Sequence, residues 1–221
     1  MLSAASCAVL FDLDGVIVDS KDAHFLAFKQ FGEEVGYEFS RETFTHIFGM
    51  HNNEIFPILF GRPLPQEEID RMADRKEAIV REMIRGHVAA LPGAAALVRA
   101  LREAGFHLAI GTSTPRANVE LILGELELRE YFQAIISAEN VKEGKPNPQV
   151  FLLGAEALGI PPARCVVVED AVAGVQAAHN GGMKALAVTT NHSREALGKA
   201  ERVVDSLEEV EAEDFLRLLD T

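Results

Sequence analysis

The sequence CAVLFDLDGVIVDS at residues 7–20 contains two carboxylates directly after an apolar run. The run at Cys7–Phe11 predicts a buried β-strand, and Gly15 predicts a sharp exit from it. We therefore expect Asp12 and Asp14 at the carboxyl end of the first strand, where open α/β sheets bind ligands. Because side chains two residues apart on a strand share a face, this pair would repel unless a cation or a proton resolved it. The alternative is an acidic surface turn without a function.

The composition predicts a soluble protein with a sizeable core. The chain has 221 residues, of which 48% are hydrophobic, enough for one large domain or two modest ones. Acidic residues outnumber basic ones by 34 to 21, so the formal net charge is −13. Because nucleic acids and anionic membranes bind basic surfaces, we expect neither as a partner. Cys7 and Cys165 are expected as small buried side chains, and no segment reaches the length of a membrane span. We predict a cytoplasmic protein.

The rest of the chain divides into two regions with different patterns of apolar residues. Residues 21–88 have helical apolar spacing and no strand-like run. From residue 91 onwards, strand-like and helix-like segments alternate, which implies a parallel sheet with helices on both faces. The later strands are predicted at 107–111, 134–136, 165–168, 184–188 and 202–204. We therefore predict an α/β fold with a doubly wound, Rossmann-like parallel sheet from residues 1–19 and 90–221, and an all-α helical cap inserted at 20–89.

Polar side chains follow the predicted strands at points that a parallel sheet brings to one edge. They are Asp12 and Asp14 after the first strand, Thr112, Ser113 and Thr114 after the second, Lys145 in the loop after the third, and Glu169 and Asp170 after the fourth. Carboxylates hold Mg²⁺, whereas lysine and hydroxyl groups hold phosphate oxygens. A carboxylate can also attack phosphorus and form an aspartyl-phosphate. The pattern predicts phosphoryl chemistry on a small phosphorylated metabolite, with Mg²⁺ as the cofactor.

Four motifs along the chain carry a resemblance to a known family. They are Asp12–Ser20, Thr112–Thr114, Gly144–Pro148 and Val168–Gly174. On these motifs the sequence resembles the haloacid dehalogenase superfamily of phosphotransferases, in the branch with a helical cap after the first strand. Within that branch it is similar to β-phosphoglucomutase and its sugar-phosphate phosphatase relatives. The similarity covers nearly the whole chain.

The resemblance implies a role for each carboxylate at the sheet edge. Asp12 would be the nucleophile and a Mg²⁺ ligand. Asp14 would be the general acid and base, with its backbone carbonyl on the metal. Asp170 would complete the metal site, with Glu169 beside it or acting through a water molecule. Mg²⁺ and Lys145 would offset the repulsion between the attacking carboxylate and the phosphate.

A second set of residues would bind the phosphate or the rest of the substrate. Thr112 and Lys145 would hold the transferring phosphoryl group; their alternatives are a helix-capping threonine and an ordinary exposed lysine. The wider binding set is Ser113, Thr114, Arg116, His24, Lys76, Asn52 and Gly49. Thr114, which precedes Pro115, is also predicted to cap the next helix.

Cap residues should select the substrate, because the chemistry at the sheet edge is generic. His24 and Lys76 match positions that relatives aim at the substrate; their alternatives are a structural histidine and a surface lysine paired along its helix. True mutases carry an arginine after a Gly-Val-Ser motif, where it grips a distal phosphate, whereas residues 49–53 read GMHNN here. The missing bidentate donor favours hydrolysis over mutation. Ser20 and residues 88–92 would be the hinges of cap closure.

The predicted function is Mg²⁺-dependent hydrolysis of a small phosphate monoester of the sugar-phosphate class, through phosphorylated Asp12. The first alternative is a β-phosphoglucomutase-type isomerase. Dehalogenation is disfavoured, because that reaction has no use for an acid at Asp14. A receiver-like signalling domain would share the acids, hydroxyl, lysine and Mg²⁺, but would lack the helical insert and have about half this length. We expect a monomer or a weak homodimer.

Overall fold

The computed structural model describes residues 3–220, which contain a six-stranded parallel sheet. The strands are β1 Ala8–Phe11, β2 His107–Gly111, β3 Ala134–Ile136, β4 Cys165–Glu169, β5 Lys184–Val188 and β6 Arg202–Val204. Their order is β3-β2-β1-β4-β5-β6, so the chain builds outward from β1 in both directions. This order confirms the predicted doubly wound α/β fold. The ends of the predicted core range, residues 1–2 and 221, lie outside the described residues.

The described chain between β1 and β2 is helical, as predicted. Before α5 (Ala94–Glu103), which belongs to the sheet layer, it forms α1 Lys21–Val35, α2 Arg41–Ile47, α3 Asn52–Phe60 and α4 Gln66–Ile84, and we call residues 21–84 the helical segment. Its interior is aromatic, since Phe28, Phe31, Phe44 and Phe56 are buried. Edge-to-face packing of such rings stabilises a core beyond the area it buries. The boundaries of the cap at residues 20 and 89 remain a prediction.

Helices cover both faces of the sheet. The face that includes Phe11 packs against α5 Ala94–Glu103, α6 Arg116–Glu125 and α9 Ala212–Leu219, and the face that includes Leu10 packs against α7 Gln149–Leu158 and α8 Val172–Asn180. Successive side chains of a strand point to opposite faces, so a strand buried on both sides is apolar at every position. This explains why β1 appears in the sequence as an uninterrupted apolar run.

Two adjacent stretches of chain connect the helical segment to the sheet. Val18 forms a β-bridge with Ala90, and the N–H of Leu91 donates to the carbonyl of Ile17 at 2.9 Å. The predicted hinge residues line a cavity of about 220 Å³ at this junction. Their movement remains a prediction. Among residues 3–220, helices are too short or too polar to cross a bilayer.

The strand register aligns the carboxyl ends of the three central strands. Phe11 of β1 pairs with Ile110 of β2 on one side and with Val168 of β4 on the other. The backbone N–H of Asp12 then donates to the carbonyl of Val168 at 3.0 Å. Side chains that follow these three positions therefore meet at one edge of the sheet.

Candidate active site

A cavity of about 550 Å³ lies between the carboxyl edge of the sheet and the helical segment. Its sheet side is lined by Asp12, Asp14, Thr112, Ser113, Thr114, Lys145, Glu169 and Asp170. The helical segment contributes predicted residues to the opposite side, namely His24, Gly49, Asn52 and Lys76. Apart from Arg116, the residues predicted from sequence therefore converge on one cavity from distant positions in the chain.

Three carboxylates meet at the ends of β1 and β4. Asp12, Glu169 and Asp170 each offer an oxygen, and these oxygens lie within 4.8 Å of one another. Burial, joined by the charges of Glu169 and Asp14, raises the pKa of Asp12 to about 7 despite the opposing charge of Lys145. Burial, joined by the charges of Glu169 and Asp12, raises the pKa of Asp170 to about 8. Carboxylates crowded in this way favour a bound cation.

Lys145 lies among these carboxylates. Its Nζ is 3.0 Å from Oδ1 of Asp12 and 2.6 Å from Oε1 of Glu169, and its side chain is only 7% exposed. Burial alone would lower the pKa of Lys145, but the charges of Asp12 and Glu169 raise it instead. The ammonium therefore stays charged and balances one carboxylate. The alternative of an ordinary exposed lysine does not apply.

Oδ1 of Asp12 is a buried oxygen that accepts no well-formed hydrogen bond within the described part of the chain. Lys145 approaches it closely without completing such a bond. Buried polar atoms nearly always have a partner, so this oxygen is open to a ligand. The surrounding donors are carboxylate oxygens, which suit hard cations such as Mg²⁺. Asp12 and Asp170 together fit a Mg²⁺ site.

The carboxylate of Glu169 is already occupied by protein donors. Its Oε2 accepts the backbone N–H groups of Asp170 at 2.8 Å and Ala171 at 2.9 Å, while Oε1 accepts from Lys145. This position, at the N-terminus of α8, favours a negative charge. The carboxylate of Glu169 can occupy this place only because residue 174 is a glycine. A Cβ atom at Gly174 would lie 1.8 Å from Oε1 of Glu169. Glu169 is therefore suited to orient Lys145 and to reach a metal only indirectly.

Asp14 is held by two hydroxyl groups. Ser20 donates to its Oδ1 and Thr114 donates to its Oδ2. Nε2 of His24 lies 3.8 Å from Oδ1. These contacts orient the carboxylate in the wall of the cavity. The predicted capping role of Thr114 is wrong: Pro115 occupies the cap position of α6, and the hydroxyl of Thr114 donates to Asp14 instead.

The loop after β2 brings further hydroxyl groups to the cavity. Thr112 is buried, and its Oγ1 accepts the backbone N–H of Thr114 at 3.2 Å. Thr112 and Ser113 both line the cavity, but Arg116 does not. The guanidinium of Arg116 donates to Glu120 at 2.8 Å and to a backbone carbonyl at 3.0 Å. Two of the three guanidinium nitrogens of Arg116 therefore donate to groups outside the cavity, and a role of Arg116 in substrate binding remains a prediction.

The helical segment contributes a buried ion pair to the opposite wall. Lys76 is 2% exposed, so the alternative of a surface lysine does not apply, and its Nζ donates to Oε1 of Glu77. Asn52 donates to the same oxygen at 3.1 Å. Burial alone would raise the pKa of Glu77, but the charges of Lys76 and His24 lower it to about 2. Burial and the charge of Lys76 lower the pKa of His24.

Seven polar residues that line the cavity were not predicted as site residues: Lys21, Thr45, His46, Glu77, Gln176, Asn191 and His192. Asn191 donates to Oδ2 of Asp170 at 2.7 Å, and Nδ1 of His192 lies 3.0 Å from the carbonyl oxygen of Asp170. Gly15 passes close to this pair, since a Cβ there would lie 2.2 Å from Oδ2 of Asp170. Asn191 and His192 follow β5 at the same sheet edge, so the rule applied to the other strands could have found them.

Comparison with known proteins identifies the family to which the sequence is similar. The model of the family described as haloacid dehalogenase-like hydrolase matches residues 9–188 of the chain. The chain is 37% identical to hexitol phosphatase A of Escherichia coli (strain K12) over 205 residues, which are 91% of each protein. It is 34% identical to the fructose-1-phosphate phosphatase of the same organism over 186 residues, 81% of this chain and 95% of that protein.

The fold is also similar to solved structures. The crystal structure of β-phosphoglucomutase from Clostridium difficile superposes with a TM-score of 0.85 at 27% sequence identity. The superposition covers 99% of this chain and 98% of that one. The likeness therefore includes the helical segment as well as the sheet.

Proposed function

The chain belongs to the haloacid dehalogenase-like hydrolase family, and from that premise we propose that it is a Mg²⁺-dependent phosphatase of a small sugar phosphate. The proposal rests above all on Oδ1 of Asp12. This oxygen is buried and free of well-formed hydrogen bonds from the described residues, yet it lies 3.0 Å from the ammonium of Lys145. A carboxylate oxygen with that surrounding can act as a nucleophile toward a dianionic phosphate.

In the first step, an oxygen of Asp12 attacks phosphorus and the bond between phosphorus and the ester oxygen breaks. Asp14 gives a proton to the departing alcohol, and the phosphoryl group remains on Asp12. Asp12 and Asp170 would hold the Mg²⁺, which neutralises charge on the phosphate when it is bound. Lys145 and the hydroxyl of Thr112 hold phosphoryl oxygens, so the group is positioned for transfer.

In the second step, water attacks the phosphorus of phosphorylated Asp12. Asp14, which gave up its proton in the first step, now accepts one from the water, and phosphate leaves. The hydroxyl donors Ser20 and Thr114 keep Asp14 oriented for both transfers. The bond between Asp12 and phosphorus breaks in this step, so each cycle consumes one ester and one water and regenerates the Asp12 carboxylate and the protonated Asp14.

Three residues of the helical segment support hydrolysis over mutation. Asn52 lies where a mutase would carry the arginine that grips a second phosphate, and its amide donates to Glu77 at 3.1 Å. The positive charge of Lys76 is balanced by the same carboxylate. A second phosphate would therefore gain little net attraction from this group, whereas the hydroxyl groups of a sugar need only hydrogen bonds.

A β-phosphoglucomutase-type isomerase is the second candidate, because the fold likeness extends over 99% of the chain. A cytoplasmic location, a monomeric or weakly dimeric state and the absence of nucleic-acid partners remain predictions from the sequence.

One experiment separates the two activities. The purified protein with Mg²⁺ is assayed for phosphate release from hexose and hexitol phosphates, and for conversion of a hexose 1-phosphate to the 6-phosphate. Phosphate release that is faster than isomerisation on every substrate supports the phosphatase. Isomerisation that outpaces release on one of them would overturn the proposal in favour of the mutase.

A further inference from the structure

A buried polar bridge joins the helical segment to a helix that covers the sheet. Nδ2 of Asn118, in α6, donates to Oε2 of Glu77, in α4, at 2.6 Å. The other oxygen of Glu77 accepts from Lys76 and Asn52. Asn118, Glu77, Lys76 and Asn52 are all buried, and the first has no exposed surface. We call the contact between Asn118 and Glu77 the Glu77 bridge.

The orientation of the Asn118 amide follows from the chemistry of its two neighbours. Nη1 of Arg81 lies 2.7 Å from Oδ1 of Asn118, and a guanidinium can only donate. Glu77, with a pKa lowered to about 2, can only accept at neutral pH. The amide oxygen must therefore face Arg81 and the NH₂ group must face Glu77. An aspartate at position 118 would meet Glu77 with a second carboxylate, and an apolar side chain would leave Oε2 of Glu77 and Nη1 of Arg81 without this partner.

Resting on the proposed function, we propose that Asn118 is a positioning residue for the sugar end of the substrate. It holds Glu77, and through Glu77 it fixes the ammonium of Lys76 in the wall of the cavity. Lys76 donates to Oε1 of Glu77, and Asn118 of α6 donates to Oε2 of the same carboxylate. The orientation of Lys76 is therefore linked to α6 through Glu77.

The location of the bridge explains why such a contact would matter. Asn118 is four residues beyond Thr114, whose hydroxyl donates to Asp14 at the sheet edge. Glu77 and Lys76 belong to the opposite wall of the same cavity. The bridge therefore ties the wall that binds the sugar to the helix that follows the phosphate loop. Contact between the two walls thus adds an anchor for the carboxylate that orients Lys76.

Two variants separate positioning from simple packing. Asn118→Asp keeps the size of the side chain and its contact with Arg81, but replaces the donor toward Glu77 with an acceptor. The double variant Glu77→Gln/Asn118→Asp reverses the hydrogen bond, because the new amide at position 77 can donate to the new carboxylate. It has the same net charge as the wild type, but the negative charge moves away from Lys76 and toward Arg81. It is therefore the matched control for packing across the bridge.

Kinetics are measured on sorbitol 6-phosphate and on p-nitrophenyl phosphate, which has no hydroxyl groups for Lys76. We expect Asn118→Asp to raise KM for the sugar phosphate by about tenfold more than for the aryl phosphate, which corresponds to about one lost charge-assisted hydrogen bond. The double variant should regain the melting temperature of the wild type but not its KM for the sugar phosphate. Recovery of both would mean that Asn118 only packs the two walls together and would overturn the proposal.

A second readout does not depend on turnover. The rate at which trinitrobenzenesulfonate modifies Lys76 is measured by peptide mass spectrometry in folded protein. We expect faster modification in both variants than in the wild type, because Lys76 is no longer fixed by an anchored carboxylate. Equal rates would overturn the positioning role even if the protein hydrolysed neither ester. If the wild type hydrolyses neither ester but Lys76 is modified faster in the variants, the result contradicts only the proposed function.

Discussion

The ammonium of Lys145 lies 3.0 Å from Oδ1 of Asp12, an oxygen that accepts no well-formed hydrogen bond from residues 3–220. The charge of the carboxylate is thus partly balanced while one of its oxygens remains available. Lys145 is itself fixed by Glu169 at 2.6 Å, so it cannot follow Asp12 without losing a second partner. The site thus combines a fixed cation, Lys145, with an accessible nucleophile, Asp12. The first two predictions test the nucleophile and the cation in turn.

Asp12→Asn should abolish phosphate release, because the amide is a far weaker nucleophile than the carboxylate it replaces. We expect kcat to fall by at least about 10³-fold. The melting temperature in the absence of metal should not fall, since the change removes one of three crowded carboxylates while keeping the shape of the side chain. Steady-state kinetics and thermal unfolding check both statements. Undiminished Mg²⁺-dependent hydrolysis by this variant would sink the proposed mechanism.

Lys145→Met should lower both activity and stability, because it leaves Asp12 and Glu169 without their shared cation. We expect kcat to fall by at least about 10²-fold, as for the loss of a group that stabilises transition-state charge. The melting temperature without metal should fall, and added Mg²⁺ should recover more of the loss than it adds to the wild type. Lys142→Met, at an exposed position in the same loop, is the matched control and should change neither quantity. A Lys145 variant as active as this control would contradict the assigned role.

The residues at the sheet edge can be predicted from the sequence because the end of each strand is marked by its own local apolar run. The apolar run before Asp12 and the run before Glu169 each predict a buried strand, and parallel pairing then brings their ends together. The same logic extends to Asn191, which follows β5. It does not extend to Glu77, because the partner of a helical side chain depends on how two helices cross. No pattern in the sequence relates Glu77 to Asn118, 41 positions apart.

Arg116 shows how a side chain near the site along the chain can point elsewhere. Its place two residues after Thr114 makes it a plausible phosphate ligand in the sequence, but a helix start rotates successive side chains by about 100°. Thr114 consequently donates to Asp14, whereas the guanidinium of Arg116 donates to Glu120 at 2.8 Å. Proximity along the chain does not determine the direction of a side chain, so a substrate-binding role for Arg116 remains a prediction from the sequence.

The stability of the protein should depend on the charge of Glu77 in acid. Its pKa is about 2 in the folded chain, against an ordinary value of 4.5. A carboxyl whose pKa is lowered by folding contributes stability that is fully present above pH 4.5 and is lost as the pH falls toward 2. The wild type should therefore lose about 1 kcal/mol more than Glu77→Gln between pH 7 and pH 3.5.

Urea unfolding at the two pH values measures this difference, and comparison with Glu77→Gln cancels the titration of the other acids. At pH 7 the variant should be the less stable protein, because Lys76 loses its buried counter-ion. A gap between the two proteins that stays constant, or widens, as the pH falls would show that Glu77 is not stabilised as a carboxylate in the folded chain.

The hydroxyl of Thr114 should matter for the rate, because it is one of two donors that orient Asp14. Thr114→Val keeps the shape and volume of the side chain but cannot donate, so Asp14 is left with Ser20 and gains rotational freedom. We expect kcat to fall by about 10- to 100-fold, since proton transfer by a positioned carboxyl is worth about 10²- to 10⁴-fold in total. Thr114→Ser restores the donor and should recover most of the rate, while Ser20→Ala should mimic the valine variant.

Steady-state kinetics of the Thr114 variants on an ester with a poor leaving group, compared with p-nitrophenyl phosphate, shows whether the lost rate belongs to proton transfer. The poor leaving group needs a proton from Asp14 and should suffer more, whereas an equal loss on both esters would place the defect outside proton transfer.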